Sequence, residues 1–353
     1  MLKNEIDTPA LILDLDTMNE NIRTMAAFFA GRPQKLRPHF KTPKTPEVAR
    51  RQIEAGAIGL TAAKLGEAEV LARAGLGPIL IANQIVGPAK VDRLFEIARK
   101  VSVIATVESE FNIAELEDGA RRSGGSIDAI IEVDTGMHRC GTATRDETVA
   151  LARRLARGPL RYRGVMGYEG HAVLIKDRET REGFARLALT TLSEHVNALR
   201  DAGLAPEIVS AGGTGTYDIA GSWPDVTEVQ AGSYVFMDGA YRLVRPDLGQ
   251  PALSMLTTVI SRRGDRAILD VGMKSLTGEF GMPYAKDFPA RATSLSEEHA
   301  TLDASKNEIA AGMKIELIAM HNDTTINLHR EYYVVRGNEV VDVWPIEAAR
   351  AYR

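Results

Sequence analysis

The chain has 353 residues, of which 44% are hydrophobic and 25% charged, and its formal net charge at pH 7 is -4. Such a composition is typical of a folded globular protein, and a weakly acidic chain has no electrostatic reason to bind nucleic acid or an anionic membrane. The single cysteine, Cys140, excludes an internal disulfide framework. No apolar run reaches the roughly 18 residues of a membrane span, and no apolar leader precedes Asp7, so we expect a cytoplasmic protein without membrane or nucleic-acid partners.

Short β-rich runs alternate with longer amphipathic runs over the first part of the chain. Residues 10–13 are typical of a strand, and residues 17–29 have apolar side chains at helical spacing. The alternation then continues, with further strands predicted at residues 35–39, 59–62, 79–82, 103–106, 127–133, 162–166 and 208–210. About eight β-then-α units in succession favour an α/β fold with a closed parallel barrel.

From about residue 252 the pattern changes to strand-like runs with few helical stretches between them. Within this part, residues 335–340 (Val-Arg-Gly-Asn-Glu-Val) predict a tight hairpin. We therefore predict a (β/α)8 barrel over residues 8–245 and a β-rich domain formed by residues 246–353 together with residues 1–7.

The loop after the strand at residues 127–133 has a distinctive composition. The apolar run stops at Asp134-Thr135-Gly136, and Arg139 follows shortly before Gly141. A guanidinium on such a loop is suited to an oxyanion, because arginine does not lose its charge. From these residues alone, an arginine in a salt bridge at the barrel rim explains the motif equally well.

A lysine lies where the second predicted strand ends. Residues 36–44 read Leu-Arg-Pro-His-Phe-Lys-Thr-Pro-Lys, which places Lys41 near the expected barrel mouth. A lysine that is shielded from water is a candidate Schiff-base nucleophile, since burial lowers its pKa. Lys44 is expected to be solvated and without a role.

Two later strand ends open into loops that suit a phosphate group. Residues 210–216 (Ser-Ala-Gly-Gly-Thr-Gly-Thr) form a glycine-rich loop, in which backbone N–H groups and a hydroxyl can converge on an anion. Residues 230–234 (Gln-Ala-Gly-Ser-Tyr) form the second loop. A single glycine-rich turn is weak evidence, so these loops gain weight only in combination.

Taken together, these motifs resemble the alanine racemase-like, fold type III enzymes that use pyridoxal phosphate (PLP). Residues 134–141 resemble that family's Asp-Thr-Gly-Met-x-Arg-x-Gly loop. Residues 37–41 resemble the Arg-x-His-x-Lys loop of its D-threonine aldolase, 3-hydroxyaspartate aldolase and D-serine dehydratase branch. The likeness extends over nearly the whole chain, from Thr8 to Pro345.

The resemblance implies a set of PLP contacts. Lys41 corresponds to the Schiff-base lysine, and Arg139 to the residue beside the phenolic oxygen of the cofactor. The other implied contacts are Tyr168 beside the ring, Thr214, Gly232 and Ser233 at the phosphate, Tyr241, and Gln230 facing the pyridine nitrogen, where alanine racemases have an arginine. The chain departs from the branch in the loop after the third strand, where a glutamine often precedes the lysine and this chain has Ala63 before Lys64.

His321 and Asp323 stand two residues apart after a predicted strand, which would place both side chains on one face. An imidazole and a carboxylate form a minimal clamp for a divalent metal, although His-x-Asp is common by chance. The resemblance assigns this pair to the metal site of the aldolases. A carboxylate ligand favours Mg²⁺ or Mn²⁺ over Zn²⁺.

The resemblance implies retro-aldol cleavage of a D-3-hydroxy amino acid, D-threonine-like, to glycine and an aldehyde. Lys41, His321 and Asp323 would be the catalytic residues, and the protein would be a homodimer.

The alternative is a dehydratase of D-serine or D-3-hydroxyaspartate on the same scaffold. A PLP-binding protein without turnover is disfavoured, since such proteins of this barrel type are usually single-domain.

Overall fold

The computed structural model describes residues 1–353, which form two compact units. One, the β unit, comprises Met1–Met25, Thr42–Glu47 and Ser233–Arg350. The other, the barrel unit, comprises Ala26–Lys41, Val48–Gly232 and Ala351–Arg353. The predicted domain boundaries, residues 8–245 and residues 246–353 with 1–7, remain a proposal; by compactness, residues 8–25 and 233–245 group with the β unit.

The strands are numbered in chain order: β1 (Ala10–Asp14), β2 (Lys35–Leu36), β3 (Leu60–Ala62), β4 (Ile79–Gln84), β5 (Val103–Val107), β6 (Asp128–Val133), β7 (Arg161–Gly167), β8 (Ile208–Ala211), β9 (Glu228–Val229), β10 (Leu253–Arg263), β11 (Arg266–Leu269), β12 (Tyr284–Ala285), β13 (Ala292–Leu295), β14 (Ala300–Asp303), β15 (Lys314–Ile318), β16 (Glu331–Arg336) and β17 (Glu339–Pro345). The α-helices are α1 (Leu15–Phe29), α2 (Pro46–Glu54), α3 (Leu65–Arg73), α4 (Pro88–Ala98), α5 (Glu110–Ser123), α6 (Arg145–Arg157), α7 (Arg178–Asp201), α8 (Tyr217–Ala220), α9 (Gly239–Val244) and α10 (Asn322–Ile326). None of the helices combines the length and the apolar character that a transmembrane span requires.

The barrel unit contains an eight-stranded parallel sheet in the order β2-β9-β8-β7-β6-β5-β4-β3. Its two ends are also joined, because Ile58 N donates to Leu36 O at 2.9 Å and Thr61 N donates to Pro38 O at 2.9 Å. The sheet therefore closes on itself, and the predicted α/β barrel with a β-rich domain is confirmed.

The interior of the barrel is apolar. Strands β5 and β6 are buried along their whole length, as expected for parallel strands that are covered on both faces. One residue from each of five neighbouring strands forms a common cluster: Leu80, Ile104, Ile130, Met166 and Ile208. This packing holds the strand ends, and the loops that follow them, in fixed positions.

The first predicted strand is not part of the barrel, contrary to expectation. Strand β1 pairs antiparallel with β10 and parallel with β16, in the sheet of the β unit. The eighth barrel strand is instead β9, a two-residue strand that the sequence pattern did not indicate. Periodicity identifies a strand, but its pairing depends on distant residues that a local pattern does not contain.

The β unit has a nine-stranded sheet in the order β13-β14-β11-β10-β1-β16-β17, with β15 pairing to β10 and β12. Its core near the N-terminus contains Ile6, Ala10, Ile12, Leu256 and Val335. The predicted hairpin is confirmed, because β16 and β17 pair antiparallel with Arg336 opposite Glu339.

Candidate active site

Lys41 lies in the barrel unit at the mouth of the barrel, directly after the extension of β2. It is half-buried, and its backbone N–H donates to His39 Nδ1 at 3.3 Å. His39 itself forms a parallel bridge with Thr61 of β3. The lysine is therefore placed by the hydrogen bonds that close the barrel, at the end of the strands where function collects in this fold.

The expectation that Lys44 is solvated was wrong. Only 9% of this residue is exposed, and its Nζ donates to Ala348 O at 3.4 Å. Its backbone has a positive φ of 50°, and its carbonyl accepts a hydrogen bond from Ala348 N at 3.0 Å. This turn folds the side chain inward against the segment after β17, which the charge of a lysine in the sequence does not indicate.

The loop after β6 is held by its own backbone. Asp134 accepts hydrogen bonds from Gly136 N and His138 N, both at 3.0 Å, and its own N–H donates to Thr142 O at 3.1 Å. Gly141 has a φ of +110°, and a Cβ at this position would lie 2.5 Å from Asp134 N. Only glycine fits there without moving the backbone.

Arg139 stands exposed on this loop. Nearby, burial raises the pKa of Glu132, while a hydrogen bond from Gln84 and the positive charge of Arg139 oppose that shift. The positive charge of Arg139 thus influences the carboxyl group of Glu132 at the barrel mouth.

Tyr168 follows β7, and its ring faces the glycine-rich loop after β8. It is half-buried, and a Cβ on Gly213 would lie 3.2 Å from Tyr168 Cε2. Thr214, the next residue of that loop, is 1% exposed. The structure therefore brings Tyr168 and the loop of Thr214 together, and a Cβ on Gly213 would be closer to the ring than an ordinary van der Waals contact.

Glu169 fixes the glycine-rich loop from beneath and was missed by the sequence analysis. Its carboxylate accepts hydrogen bonds from Thr216 Oγ1 at 2.6 Å and from Gly212 N at 3.2 Å. Burial raises its pKa, and these hydrogen bonds oppose the rise. Its position beside Tyr168 in Gly-Tyr-Glu-Gly was the only signal in the sequence.

Gln230 connects the loop at residues 230–234 to the glycine-rich loop at residues 210–216. It follows β9, and its Nε2 donates to Ser210 Oγ at 2.9 Å. Gly232 is buried two residues further on. Lys41, Arg139, Tyr168, Thr214, Gln230 and Gly232 thus all follow strands of one closed sheet.

Ser233 and Tyr241 belong to the β unit, where both are buried at 7% exposure. Ser233 begins a short 3-10 turn, and Tyr241 lies in the first turns of α9. Asp238 caps this helix by accepting a hydrogen bond from Tyr241 N at 2.8 Å.

His321 and Asp323 do not share a strand face, contrary to expectation. Strand β15 ends at Ile318, His321 is the N-cap of α10, and Asp323 lies in the first turn of that helix. The alternation of a strand therefore does not apply to this pair. The two residues are nevertheless close enough for the charge of Asp323 to influence the pKa of His321.

A second acidic residue, Asp238, completes this group within the β unit. It is fully buried, and its Oδ2 lies 3.5 Å from His321 Nδ1, a buried nitrogen without a hydrogen-bond partner at normal geometry. Burial lowers the pKa of His321, but the carboxylates of Asp238 and Asp323 outweigh this effect and raise it above the ordinary value. An imidazole beside two carboxylates is a donor set that fits a divalent metal with mixed nitrogen and oxygen ligands.

Another group of potential metal ligands lies in the barrel unit. Glu108, Glu132 and Cys140 present ligand atoms within 4.8 Å of one another. However, Glu108 accepts a hydrogen bond from Gly141 N and Glu132 accepts one from Gln84 Nε2. Both carboxylates therefore have a structural use: Glu108 holds the Arg139 loop, and Glu132 bonds Gln84 at the end of β4.

Comparison with known proteins now defines the class. Residues 13–239 match the family described as "Alanine racemase, N-terminal domain", and residues 252–335 match "Putative serine dehydratase domain". The chain belongs to the alanine racemase-like family of PLP enzymes.

Within this family, the relatives narrow the comparison to one branch. The chain is 35% identical to a D-threonine aldolase from Arthrobacter sp, covering 97% of this chain and 93% of that protein. It is 34% identical to a 3-hydroxy-D-aspartate aldolase from Paracoccus denitrificans (strain Pd 1222), covering 99% and 93% respectively. The crystal structure of D-threonine aldolase from Filomicrobium marinum is similar with a TM-score of 0.97 and 34% identity, covering 100% of this chain and 98% of that one. The branch indicated by the sequence motifs is confirmed.

Proposed function

We propose that this protein is a PLP- and divalent-metal-dependent lyase that cleaves D-3-hydroxy amino acids, D-threonine-like, to glycine and an aldehyde. The observation that carries this proposal is the group of His321, Asp323 and Asp238, in which an imidazole lies beside two carboxylates. The names of the full-length relatives supply the reaction class.

Most of the residues proposed to hold PLP follow strands of the barrel unit, and two, Ser233 and Tyr241, belong to the β unit. Lys41 provides the amine that binds the cofactor, and Arg139 provides a permanent positive charge for its phenolic oxygen. Tyr168 and Gln230 would contact the ring, Thr214, Gly232 and Ser233 the phosphate, and Tyr241 a further edge. When bound, PLP accepts the electron pair that is released as Cα–Cβ breaks.

His321 and Asp323 are proposed to hold the metal. A divalent ion bound to an alcohol oxygen lowers the pKa of that alcohol, which is the chemistry needed at the β-hydroxyl of the substrate. Because two of the three nearby side chains are carboxylates, we expect Mg²⁺ or Mn²⁺ rather than Zn²⁺. The role of the protein is to hold the imidazole and the carboxylates in place within α10 and beside α9.

A dehydratase acting on D-serine or D-3-hydroxyaspartate is the second candidate. It is favoured by the match of residues 252–335 to "Putative serine dehydratase domain". A PLP-binding protein without turnover is disfavoured by the presence of the β unit with its metal-type ligand group.

We further propose a cytoplasmic homodimer. The support is the resemblance to fold type III enzymes, whose sites are closed by the partner's β domain, and the general point that a barrel mouth alone leaves a cofactor-sized cleft open to water.

The deciding experiment is an assay of the purified protein with D-threonine and D-3-hydroxyaspartate, with and without EDTA. Formation of glycine (or another simple amino acid) and an aldehyde, and only in the absence of EDTA, would support the aldolase. Keto acid plus ammonia would support the dehydratase instead. No turnover of either substrate by protein loaded with PLP and metal would contradict both.

A further inference from the structure

Asp238 is a fully buried carboxylate in the β unit that the proposed chemistry does not use directly. Its Oδ1 accepts a hydrogen bond from Tyr241 N at 2.8 Å, which caps α9. Its Oδ2 accepts one from Asn322 N at 3.3 Å and lies 3.5 Å from His321 Nδ1. Burying a carboxylate is unfavourable unless it is well bonded. The position of Asp238 at the first turns of α9 and α10 therefore requires an explanation.

Backbone hydrogen bonds hold Asp238 and His321 in register. Gly239 N donates to Ala319 O at 2.9 Å, and Ala240 N donates to Met320 O at 3.2 Å. The side chain of Asn322 donates to Met237 O at 2.9 Å. Residues 237–240 and 319–322 are therefore joined on both sides of the Asp238–His321 pair, so their separation is set by the backbone.

The histidine ring is also held from another side. The ring of Phe280 packs against it with centroids 4.8 Å apart and an interplanar angle of 60°. With Nδ1 directed at Asp238, the other ring nitrogen, Nε2, points away from that carboxylate.

We propose that Asp238 is a positioning residue for metal binding by His321. With its Oδ2 3.5 Å from Nδ1, the carboxylate favours the tautomer that carries the proton on Nδ1 and leaves the Nε2 lone pair for the ion. This inference rests on the proposed function, which places the ion at His321 and Asp323.

The test is Asp238→Asn in the PLP-loaded full-length protein. Asparagine keeps an oxygen to cap α9 but presents N–H to Nδ1–H, so the required tautomer is disfavoured. The affinity for Mn²⁺, followed from the electron paramagnetic resonance signal of the free ion, should fall about ten- to a hundredfold. The cofactor absorbance should stay unchanged, and saturating Mn²⁺ should restore cleavage, which a general loss of structure would not allow.

A matched control is Asp177→Asn, the same substitution at the N-cap of α7, where Asp177 accepts from Thr180 N at 2.8 Å. It should leave Mn²⁺ affinity unchanged. If Asp238→Asn does not fold, Asp238→Ser retains a good cap without a group that reaches the histidine, and the same loss is expected.

Three outcomes would overturn the inference in different ways. Unchanged Mn²⁺ affinity in the Asp238 variants would show that the carboxylate is only a helix cap. Complete loss of binding without recovery at high Mn²⁺ would make Asp238 a direct ligand. Absence of Mn²⁺ binding by the wild-type protein would remove the metal from the proposed function itself, and the inference would fall with it.

Discussion

At the scale of single residues, Lys41 and Lys44 are three positions apart yet differ in their surroundings. Lys41 is half-buried at the barrel mouth, whereas the Nζ of Lys44 is directed to Ala348 O. We expect Lys41→Ala to abolish the visible absorbance of bound cofactor. Lys44→Ala should keep that absorbance and lose roughly 1–3 kcal/mol of stability, because Ala348 O loses a charged donor.

Borohydride reduction followed by peptide mapping provides the check on Lys41. Modification of the peptide that contains Lys41 is the expected result, with the Lys44 variant as the matched control. Modification mapped to Lys44 or to Lys64 would show that the assignment is incorrect.

The metal ligands give a second prediction at this scale. Exhaustive chelation should abolish cleavage without changing the cofactor absorbance, since the metal is proposed to act on the β-hydroxyl of the substrate and not on the cofactor. Mn²⁺ or Mg²⁺ should restore activity, and Asp323→Cys should shift the preference toward Zn²⁺.

Asp323→Ala should behave like the chelated protein, with Asp303→Ala, an exposed aspartate of the same unit, as control. The measurement is aldehyde release at controlled free-metal concentration. Full cleavage by chelated enzyme or by Asp323→Ala would mean that the histidine and aspartate have only a structural role.

The residues that could be predicted from the sequence are those within short local motifs. Lys41, Arg139 and Thr214 each follow a strand, so their position at the barrel mouth followed from the pattern. Asp238 and Glu169 could not be predicted, because their hydrogen-bond partners, such as Asn322 and Thr216, are distant in sequence. A carboxylate is recognised as a support only when its partners are known.

At the scale of elements, the loop after β6 depends on Gly141. A Cβ at this residue would lie 2.5 Å from Asp134 N, at a φ of +110°. Gly124, at the C-terminus of α5, has a φ of +66° and nothing within 4 Å. Gly124→Ala should therefore lose only roughly 1–2 kcal/mol for its left-handed backbone, and Gly141→Ala distinctly more.

Urea unfolding of the two variants tests the stability difference, and cofactor titration tests the loop. Gly141→Ala should bind PLP more weakly, because the displaced backbone carries Arg139. Equal stability losses with unchanged PLP affinity would show that the loop can absorb the extra atom.

The strands and helices differ in how well they could be predicted from the sequence. The β16–β17 hairpin was predictable, since Gly337, with a φ of +60°, supplies the turn between two β-rich runs. Strand β9 was not, because two residues contain no periodicity. The α10 helix was mistaken for the end of a strand because its few residues follow β15 closely.

At the scale of the whole molecule, the barrel followed from repeated β-then-α units. The assignment of β1 did not, because pairing with β10 and β16 is decided by residues more than two hundred positions away. A local pattern identified its strand character and not its sheet.

The oligomeric state is the prediction that belongs to this scale. Sedimentation equilibrium at the assay concentration should give twice the chain mass of 38.4 kDa, if a partner closes the site as in related enzymes. Specific activity and molecular mass, measured at each concentration of a dilution series, would show whether the dimer is the active form. A fully active monomer would contradict the prediction.

The pairing of β1 has a consequence for how the chain is made. This strand is translated before the other strands, whereas both of its neighbours, β10 and β16, follow more than two hundred residues later. All eight strands of the barrel are complete by Val229, so the barrel can assemble while β1 still lacks partners. An apolar strand with unpaired edges is prone to pair with other chains, so we expect the nascent polypeptide to be most prone to aggregation over that interval.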